Sequence, residues 1–222
     1  MQTNIRSLNN LKGESIAFNG SVIGRAYMLL SSTILFSSFV SYLSIVLNVR
    51  PVGFIFIVFL LLLSFLINRF KDSKIGLFFV YVLSGFCGYS LGPLVNSTLH
   101  IPNGSQMVFG SLILTGVLFS VLSFYAIITK RNLSFLSGFL FIGFLVCLFA
   151  VFVNLFFSIN VLSLLVSAFI IILSCGWILY DTNSLVNSGE TNYVIVTVNL
   201  YLQIYNLFSS LLFIIKFFFN KD

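Results

Sequence analysis

One acidic residue and three amides near the C-terminal end of the chain have the types and spacing best suited to chemistry. Asp181 closes a long apolar stretch, and Asn199, Gln203 and Asn206 follow in the next one, four and then three residues apart. Those spacings place the three amides on one face of a helix. In lipid such a face turns toward other helices or a wet cavity. Two interpretations stand: a hydrogen-bonded seam between helices, or an ion or proton site that uses Asp181.

A second acid, Glu190, lies in the polar segment 181–193, which we predict to be a loop between two membrane spans. That segment has no Lys or Arg, so any cationic partner of Asp181 must come from elsewhere in the chain. Arg69, at the end of another apolar stretch, is one candidate partner, and the amide of Gln203 is another. We expect Asp181 to pair across the bundle, because an acid at the end of an apolar helix needs compensation.

The sequence lacks the residue arrangements that catalysis or tight metal binding requires. His100 is the only histidine and lies in a polar loop. Cys87, Cys147 and Cys175 lie apart inside apolar stretches, which argues against a disulfide framework or a zinc site. There is no nucleophile–base pair, phosphate-binding loop or HExxH motif. We therefore predict a protein that is not an enzyme and has no cofactor or metal site.

The composition indicates a protein that crosses a lipid bilayer several times. Of the 222 residues, 59% are hydrophobic and 7% are charged, and the mean hydropathy is +1.12. Soluble domains carry about 25% charged residues. The net charge of +6 comes from short segments between apolar stretches, where Lys and Arg set topology. No basic face with interleaved aromatic residues exists, so nucleic acid is not an expected partner.

Seven apolar stretches predict an all-α membrane protein built as a bundle of seven transmembrane helices. We expect the spans at 26–47, 52–67, 75–95, 107–129, 133–157, 161–180 and 194–219. The second span is the shortest and the most purely apolar. The polar segment 1–25 shows no helical periodicity, and we predict that it is a mobile tail. A short tail of three residues, 220–222, ends the chain.

The third span carries small residues at spacings that suit close helix packing. Gly88 and Gly92 are four residues apart, and Gly85 lies one turn earlier. Glycines at such spacing let two helix backbones approach each other, so we interpret them as a packing surface. Pro93 follows directly and has no backbone N–H, so we expect it to kink or end the helix.

Basic residues divide unequally between the two sides of a seven-span topology. One side holds Arg6, Lys12, Arg25, Arg69, Lys71, Lys74, Lys130 and Arg131, and the other holds Arg50, Lys216 and Lys221. Lys and Arg accumulate in cytoplasmic segments. We therefore predict a cytoplasmic N-terminus, a C-terminus on the outer side, and a cytoplasmic position for the loop that holds Glu190.

Four segments resemble the Bax inhibitor-1 family: GFCGYSLGPLVN at 85–96, KRNLSFLSG at 130–138, YDT at 180–182, and GETNYVIVTVNLYLQIYNLFSSLL at 189–212. The resemblance implies seven helices, six of them around a central seventh, and for bacterial members a place in the inner membrane. It also implies partners. One bacterial branch binds the membrane AAA+ protease FtsH, is its slow substrate and restrains its action on other membrane proteins.

Other members of the family are pH-sensitive calcium leak channels, closed by a pair of aspartates after the sixth span and in the seventh. This chain keeps the first as Asp181 but has Gln203 where channel members have the second. Two close carboxylates share a proton, whereas a carboxylate beside an amide lacks that coupling. The resemblance therefore favours a modulator of FtsH over a calcium or proton leak, and a purely structural bundle is the third alternative.

Overall fold

The computed structural model describes residues 2–51, 53–129, 133–157, 159–187 and 192–219, and these ranges form seven helices without a strand. The helices are α1 (Gln2–Val46), α2 (Phe54–Arg69), α3 (Lys74–Leu99), α4 (Gly104–Ile128), α5 (Leu136–Phe157), α6 (Asn160–Asn187) and α7 (Tyr193–Phe219). All but α2 are long and apolar enough to cross a membrane. The 16 residues of α2 span about 24 Å, less than the roughly 30 Å hydrocarbon core. The predicted all-α class and the predicted number of helices are confirmed.

Helix α1 begins at Gln2, so residues 2–25 are helical where the sequence predicted a mobile tail. The physical reason is that a helix is costly to nucleate but cheap to extend, since each added residue gains one hydrogen bond. The apolar part of α1, Val22–Val46, supplies the nucleus. The spacing of apolar residues in segment 1–25 did not predict this extension, because residues that extend an existing helix need no apolar face of their own.

Helix α7 lies at the centre of the bundle and packs against α1, α3, α4 and α6. The most extensive interfaces are those of α1 with α3 and of α6 with α7. Helix α2 packs mainly on α3, and α5 packs on α6, so these two flank the bundle. The resemblance implied six helices around a central seventh; α7 is central, but four helices pack extensively against it, and α2 and α5 lie outside them.

Two hydrogen bonds show which helix ends lie together on one side of the bundle. The Nδ2 of Asn192, directly before α7, donates to Oδ1 of Asp72 between α2 and α3 at 2.8 Å. The backbone N–H of Leu133, before α5, donates to Oδ1 of Asn183 near the end of α6 at 3.1 Å. We call this side the α6–α7 end.

Two further hydrogen bonds identify the opposite side, which we call the α3–α4 end. Asn96, in the last turn of α3, donates from Nδ2 to Oδ1 of Asn48 just after α1 at 2.7 Å. Lys216, in the last turn of α7, donates from Nζ to Oγ of Ser97 at 2.9 Å. Consecutive helices therefore alternate in direction through the bundle.

The α1–α3 interface depends on glycine. A Cβ added at Gly88 would collide with the backbone carbonyl of Ser37, and one added at Gly92 would collide with the side chain of Ser44. At Gly85 an added Cβ would lie 3.0 Å from a ring carbon of Phe36, which is a side chain that can shift. The two helix backbones therefore approach most closely at Gly88.

Helix α3 continues through Pro93 to Leu99, so Pro93 does not end the helix. Proline lacks the N–H that would reach the carbonyl of Tyr89, one turn earlier. The hydroxyl of Ser44 on α1 donates to that carbonyl at 2.8 Å. The helix tolerates the proline because a neighbouring side chain supplies the missing donor.

Candidate functional site

Asp181 lies within α6, not in the loop that the sequence predicted. The apolar run ends at Tyr180, but the helix continues to Asn187. Asp181, Thr182 and Asn183 are 5%, 0% and 2% exposed. The prediction of a span ending at Tyr180 was wrong because hydropathy judges each residue alone, whereas these polar side chains lie between packed helices.

Asn199 of α7 contacts Asp181 across the α6–α7 interface. Its Nδ2 donates to Oδ1 of Asp181 at 3.3 Å, just beyond the usual range of about 2.7–3.2 Å for N–H···O bonds. The two helices are antiparallel, and Asp181 lies six residues before the end of α6, as Asn199 lies six residues after the start of α7. Both are therefore about 9 Å from the helix ends at the α6–α7 end of the bundle.

The other predicted site residues lie elsewhere. Gln203 and Asn206 are half-buried on α7, and their side chains make no hydrogen bond within the described ranges. Arg69 is exposed at the end of α2, with its guanidinium carbon 6.0 Å from the ring centroid of Phe70. Glu190 lies outside the described residues. Asn199 therefore donates a hydrogen bond to Asp181, whereas the partners that we had considered were Arg69 and Gln203.

Asn183 is a member of this region that the sequence analysis missed. Its Oδ1 accepts from the backbone N–H of Leu133 at 3.1 Å, which ties the end of α6 to the start of α5. The neighbouring Thr182 has a buried hydroxyl oxygen with no hydrogen-bond partner in the part of the chain that the structure describes. The signal was the run Asp181–Asn183 itself, which has three polar residues next to an apolar helix. The sequence analysis placed this run in the predicted loop 181–193.

Helix α7 has a second polar face, which the sequence analysis also missed. Thr197, Tyr201 and Tyr205 are four residues apart and point toward α1 and α3. The hydroxyl of Thr197 contacts the carbonyl of Ala26 on α1 at 3.1 Å and that of Tyr193 on its own helix at 2.8 Å. The four-residue spacing was the available signal, but tyrosine and threonine are common in apolar spans and carry no charge.

The two tyrosines fasten α7 to the α1–α3 pair. The Tyr201 hydroxyl donates to the carbonyl of Ser84 at 3.1 Å and lies 2.6 Å from Oγ of Ser37. The Tyr205 hydroxyl lies 2.8 Å from Oγ of Ser90. Hydroxyls in a low-dielectric interior must be paired, and these are, so this face is a structural seam.

Asn192 organises the start of α7 at the α6–α7 end. Its Oδ1 accepts from the backbone N–H groups of Val194 and Ile195 at 3.1 and 3.3 Å, which is the geometry of a helix N-cap. Its Nδ2 donates to Asp72 at 2.8 Å. The carboxylate of Asp72 therefore lies near the positive end of the α7 dipole, where negative charge is favourable.

The chemistry available at the Asp181–Asn199 pair is limited. One carboxylate can take up a proton or contribute to a cation site, and an amide can donate or accept a hydrogen bond. No group of three or more His, Cys, Asp or Glu side chains suited to a metal occurs within the residues described. The geometry is that of a buried polar contact between two helices, near one end of the bundle.

The matches between this chain and known proteins span nearly its whole length. The family model for inhibitors of apoptosis-promoting Bax1 matches residues 19–220. An uncharacterised protein of Pseudomonas aeruginosa is 40% identical over 213 residues, which is 96% of each chain. The Modulator of FtsH protease YccA of Escherichia coli K12 is 35% identical over 206 residues, 91% of this chain and 93% of that one. Inner membrane protein YccA of Escherichia coli O6:H1 matches to the same extent.

These matches extend from the membrane-spanning part of α1 to the end of α7, so they include every helix that builds the bundle. They also include the α6–α7 interface with Asp181 and Asn199, and the α1–α3 interface with its glycines. Because both the family model and the relatives cover the fold from one end to the other, this multi-pass membrane protein belongs to the Bax inhibitor-1 family.

Proposed function

We propose that this protein is an inner-membrane modulator of an FtsH-type membrane protease, and that it is itself a slow substrate of that protease. The observation that carries the proposal is the match to a relative named Modulator of FtsH protease, at 35% identity over 91% of this chain. The inner-membrane location rests on the name of a relative matched to the same extent. The excess of basic residues at the α6–α7 end favours a cytoplasmic position for that end.

The arrangement of α1 supports the idea of a slow substrate. An ATP-driven protease must take hold of a segment on its own side of the membrane, and residues 2–25 are the segment that the charge distribution favours. As a helix, residues 2–21 extend only about 30 Å, and they continue directly into the membrane-spanning part of α1. A pull on this segment therefore acts at once on a packed helix.

Helix α1 is also among the most firmly held helices of the bundle. It lies against the glycine face of α3, and its Ser44 bonds the carbonyl of Tyr89 at 2.8 Å. Its Ser37 lies 2.6 Å from the hydroxyl of Tyr201 on α7. Extraction of α1 would break these contacts in lipid, where unpaired polar groups are expensive. A protease that starts at α1 would be occupied for a long time, which would slow its work on other substrates.

The first experiment tests whether the protein binds an FtsH-type protease and slows its action. Tagged protein should recover the FtsH-type protease from solubilised membranes, and its overproduction should slow degradation of a second membrane substrate in a pulse-chase. An unrelated seven-helix protein at matched abundance is the control. If the protease is recovered equally with that control, and the second substrate decays normally, the proposed function fails.

The second experiment tests the role of residues 2–25. We expect deletion of residues 3–18 to leave an inserted bundle that decays several-fold more slowly than the full chain and still binds the protease. A matched variant, with the same residues in scrambled order, retains the length and should decay at the normal rate. Equal decay of the shortened and full chains would show that the protease takes hold elsewhere, without affecting the proposal of binding.

A further inference from the structure

A groove between α1 and α4 is distinct from the polar contacts described above. Its volume is about 470 Å³, and its floor is formed by α7 and part of α3. Along α1 it extends from Tyr27 to Ile45. Ser38 on one wall and Gly116 on the other are exposed, so the groove opens sideways between two membrane-spanning helices. Components of the bilayer therefore have the most direct access to it.

The size of the groove indicates which component of the bilayer fits into it. From Tyr27 to Ile45, α1 rises about 27 Å. A helix of that length and about 10 Å diameter would occupy about 2,000 Å³, over four times the volume of the groove. A chain of methylene groups needs a width of only about 4 Å, the contact distance between carbon atoms. The groove is therefore too small to enclose a partner helix, and its volume and length suit an unbranched hydrocarbon chain.

The two ends of the groove differ. At the α6–α7 end, the rings of Tyr27 and Phe119 approach to 6.2 Å between centroids and join the two walls. Toward the α3–α4 end, Tyr42 is exposed four residues before the end of α1, and tyrosine is enriched at the ends of membrane spans, where it meets the lipid headgroups. The rise from Tyr42 to Tyr27 is about 22 Å. At about 1.3 Å per carbon along an extended chain, derived from bonds of about 1.5 Å, this length accommodates about 16–18 carbons.

The walls of the groove are compatible with hydrocarbon even though they include hydroxyl groups. Ser31 and Ser38 each donate to a carbonyl one turn earlier in α1, both at 2.9 Å, and Thr115 does the same in α4 at 2.7 Å. On the floor, Tyr201 and Tyr205 are bonded to α1 and α3. Because these hydroxyls are paired inside the protein, an apolar chain covers them without breaking a hydrogen bond. The Tyr27 hydroxyl, at the closed end of the groove, is buried and has no hydrogen-bond partner among the described residues whether or not the groove is filled.

From the length, the volume and the sideways opening of the groove, we propose that one acyl chain of a membrane phospholipid occupies it. The chain enters beside Tyr42, and its methyl end reaches the Tyr27–Phe119 contact. The lipid fills the space between α1 and α4. The proposal does not depend on the proposed interaction with a protease.

Two glycines of α4 provide a matched pair of variants. A Cβ added at Gly116 or at Gly110 meets nothing within 4 Å, so both positions accept a larger side chain. Only Gly116 lines the groove. Leucine at position 116 should fill the groove, whereas Gly110→Leu makes the same change of residue type outside it.

The experiment uses the full chain in nanodiscs of phosphatidylethanolamine and phosphatidylglycerol, doped with a phospholipid that carries a diazirine at the end of one acyl chain. After irradiation, labelled peptides are located by mass spectrometry. With a chain of about 18 carbons, we expect labels to concentrate near Tyr27 and Phe119, to fall at least five-fold in Gly116→Leu and to stay unchanged in Gly110→Leu.

A comparison of chain lengths on the unmodified protein keeps the test independent of the folding of the variants. With about 12 carbons the chain is too short to reach Tyr27, so the labels should move toward Tyr42. Even labelling of all lipid-facing helices would overturn the proposal, as would label positions that do not depend on chain length. Crosslinks from the groove walls, α1 and α4, of one protein copy to a second copy would also overturn the proposal, because they would show that protein covers the groove.

Discussion

Helix α7 meets its neighbours through two kinds of polar interface, and the difference between them separates structure from candidate function. Toward α1 and α3 it presents hydroxyls, and the bonds of Tyr201 and Tyr205 measure between 2.6 and 3.1 Å. Toward α6 it presents Asn199 to the carboxylate of Asp181 at 3.3 Å, next to the hydroxyl of Thr182, which has no hydrogen-bond partner among the described residues.

The first interface, which we call the hydroxyl seam, joins α7 by short hydrogen bonds to α1 and α3, which are themselves closely packed through glycine, and it has little freedom to change. The second, the acid–amide contact, is longer and includes a group that can change its charge. A buried polar residue in a membrane helix is therefore not by itself a sign of function. The acid is the better candidate because its protonation alters the contact that it makes.

The largest expected effect is next to the hydroxyl seam, at the α1–α3 interface, in Gly88→Leu. The added Cβ would collide with the backbone carbonyl of Ser37, which cannot move without displacing α1. We expect a loss of about 3 kcal/mol or more in the free energy of unfolding, the upper part of the range for overpacked sites. SDS titration in mixed micelles measures it. Gly110→Leu is the control, and equal stability of the two variants would show that α1 and α3 are not tightly packed.

An intermediate effect is expected at the acid–amide contact, in Asn199→Leu. The change removes a donor from a carboxylate that is 5% exposed, which should reduce stability by about 1–3 kcal/mol. Gln203→Leu is matched, because it removes the same kind of amide from the same helix face. A double-mutant cycle with Asp181→Leu isolates the interaction energy between Asn199 and Asp181. A larger loss in Gln203→Leu than in Asn199→Leu would make Gln203 the partner of Asp181.

Gln203→Asp is expected to have the smallest effect on stability, and it provides the sharpest test of a leak function. In liposomes we expect the unmodified protein to pass no calcium that depends on Asp181, since one carboxylate beside an amide lacks the coupling of a pair. Gln203→Asp should add a flux that changes with pH. The control is the same substitution combined with Asp181→Asn. A calcium flux of the unmodified protein that Asp181→Asn abolishes would contradict the preference for a modulator.

Much of the fold could be predicted from the sequence, because the number of helices follows from local hydropathy. A span needs about 20 apolar residues, and the stretches that meet or approach this length became α1 to α7. The ends of the helices were less predictable. Helix α6 continues seven residues beyond Tyr180, and α3 continues through Pro93, because neighbouring helices supply hydrogen bonds that the local sequence does not reveal.

The candidate site was predicted only in part. Asp181 and the three amides of α7 were identified from residue type and spacing, but the pattern did not say which amide meets the acid. Asn183 and the seam residues Tyr201 and Thr197 were missed, because uncharged polar residues are common in membrane spans and their role depends on the facing helix.

By itself, the sequence determined that the protein is an all-α membrane bundle of seven helices, that it resembles one family, and that its spans offer a single acid near the amides of α7. Only the tertiary structure decided that Asn199 meets Asp181, that Tyr201 joins α1 and α3, and that a groove remains between α1 and α4. The physical reason is that transfer of a residue into lipid depends mainly on its own side chain. The choice of partner depends on the rotation and axial register of each helix, which are set by packing over the whole interface.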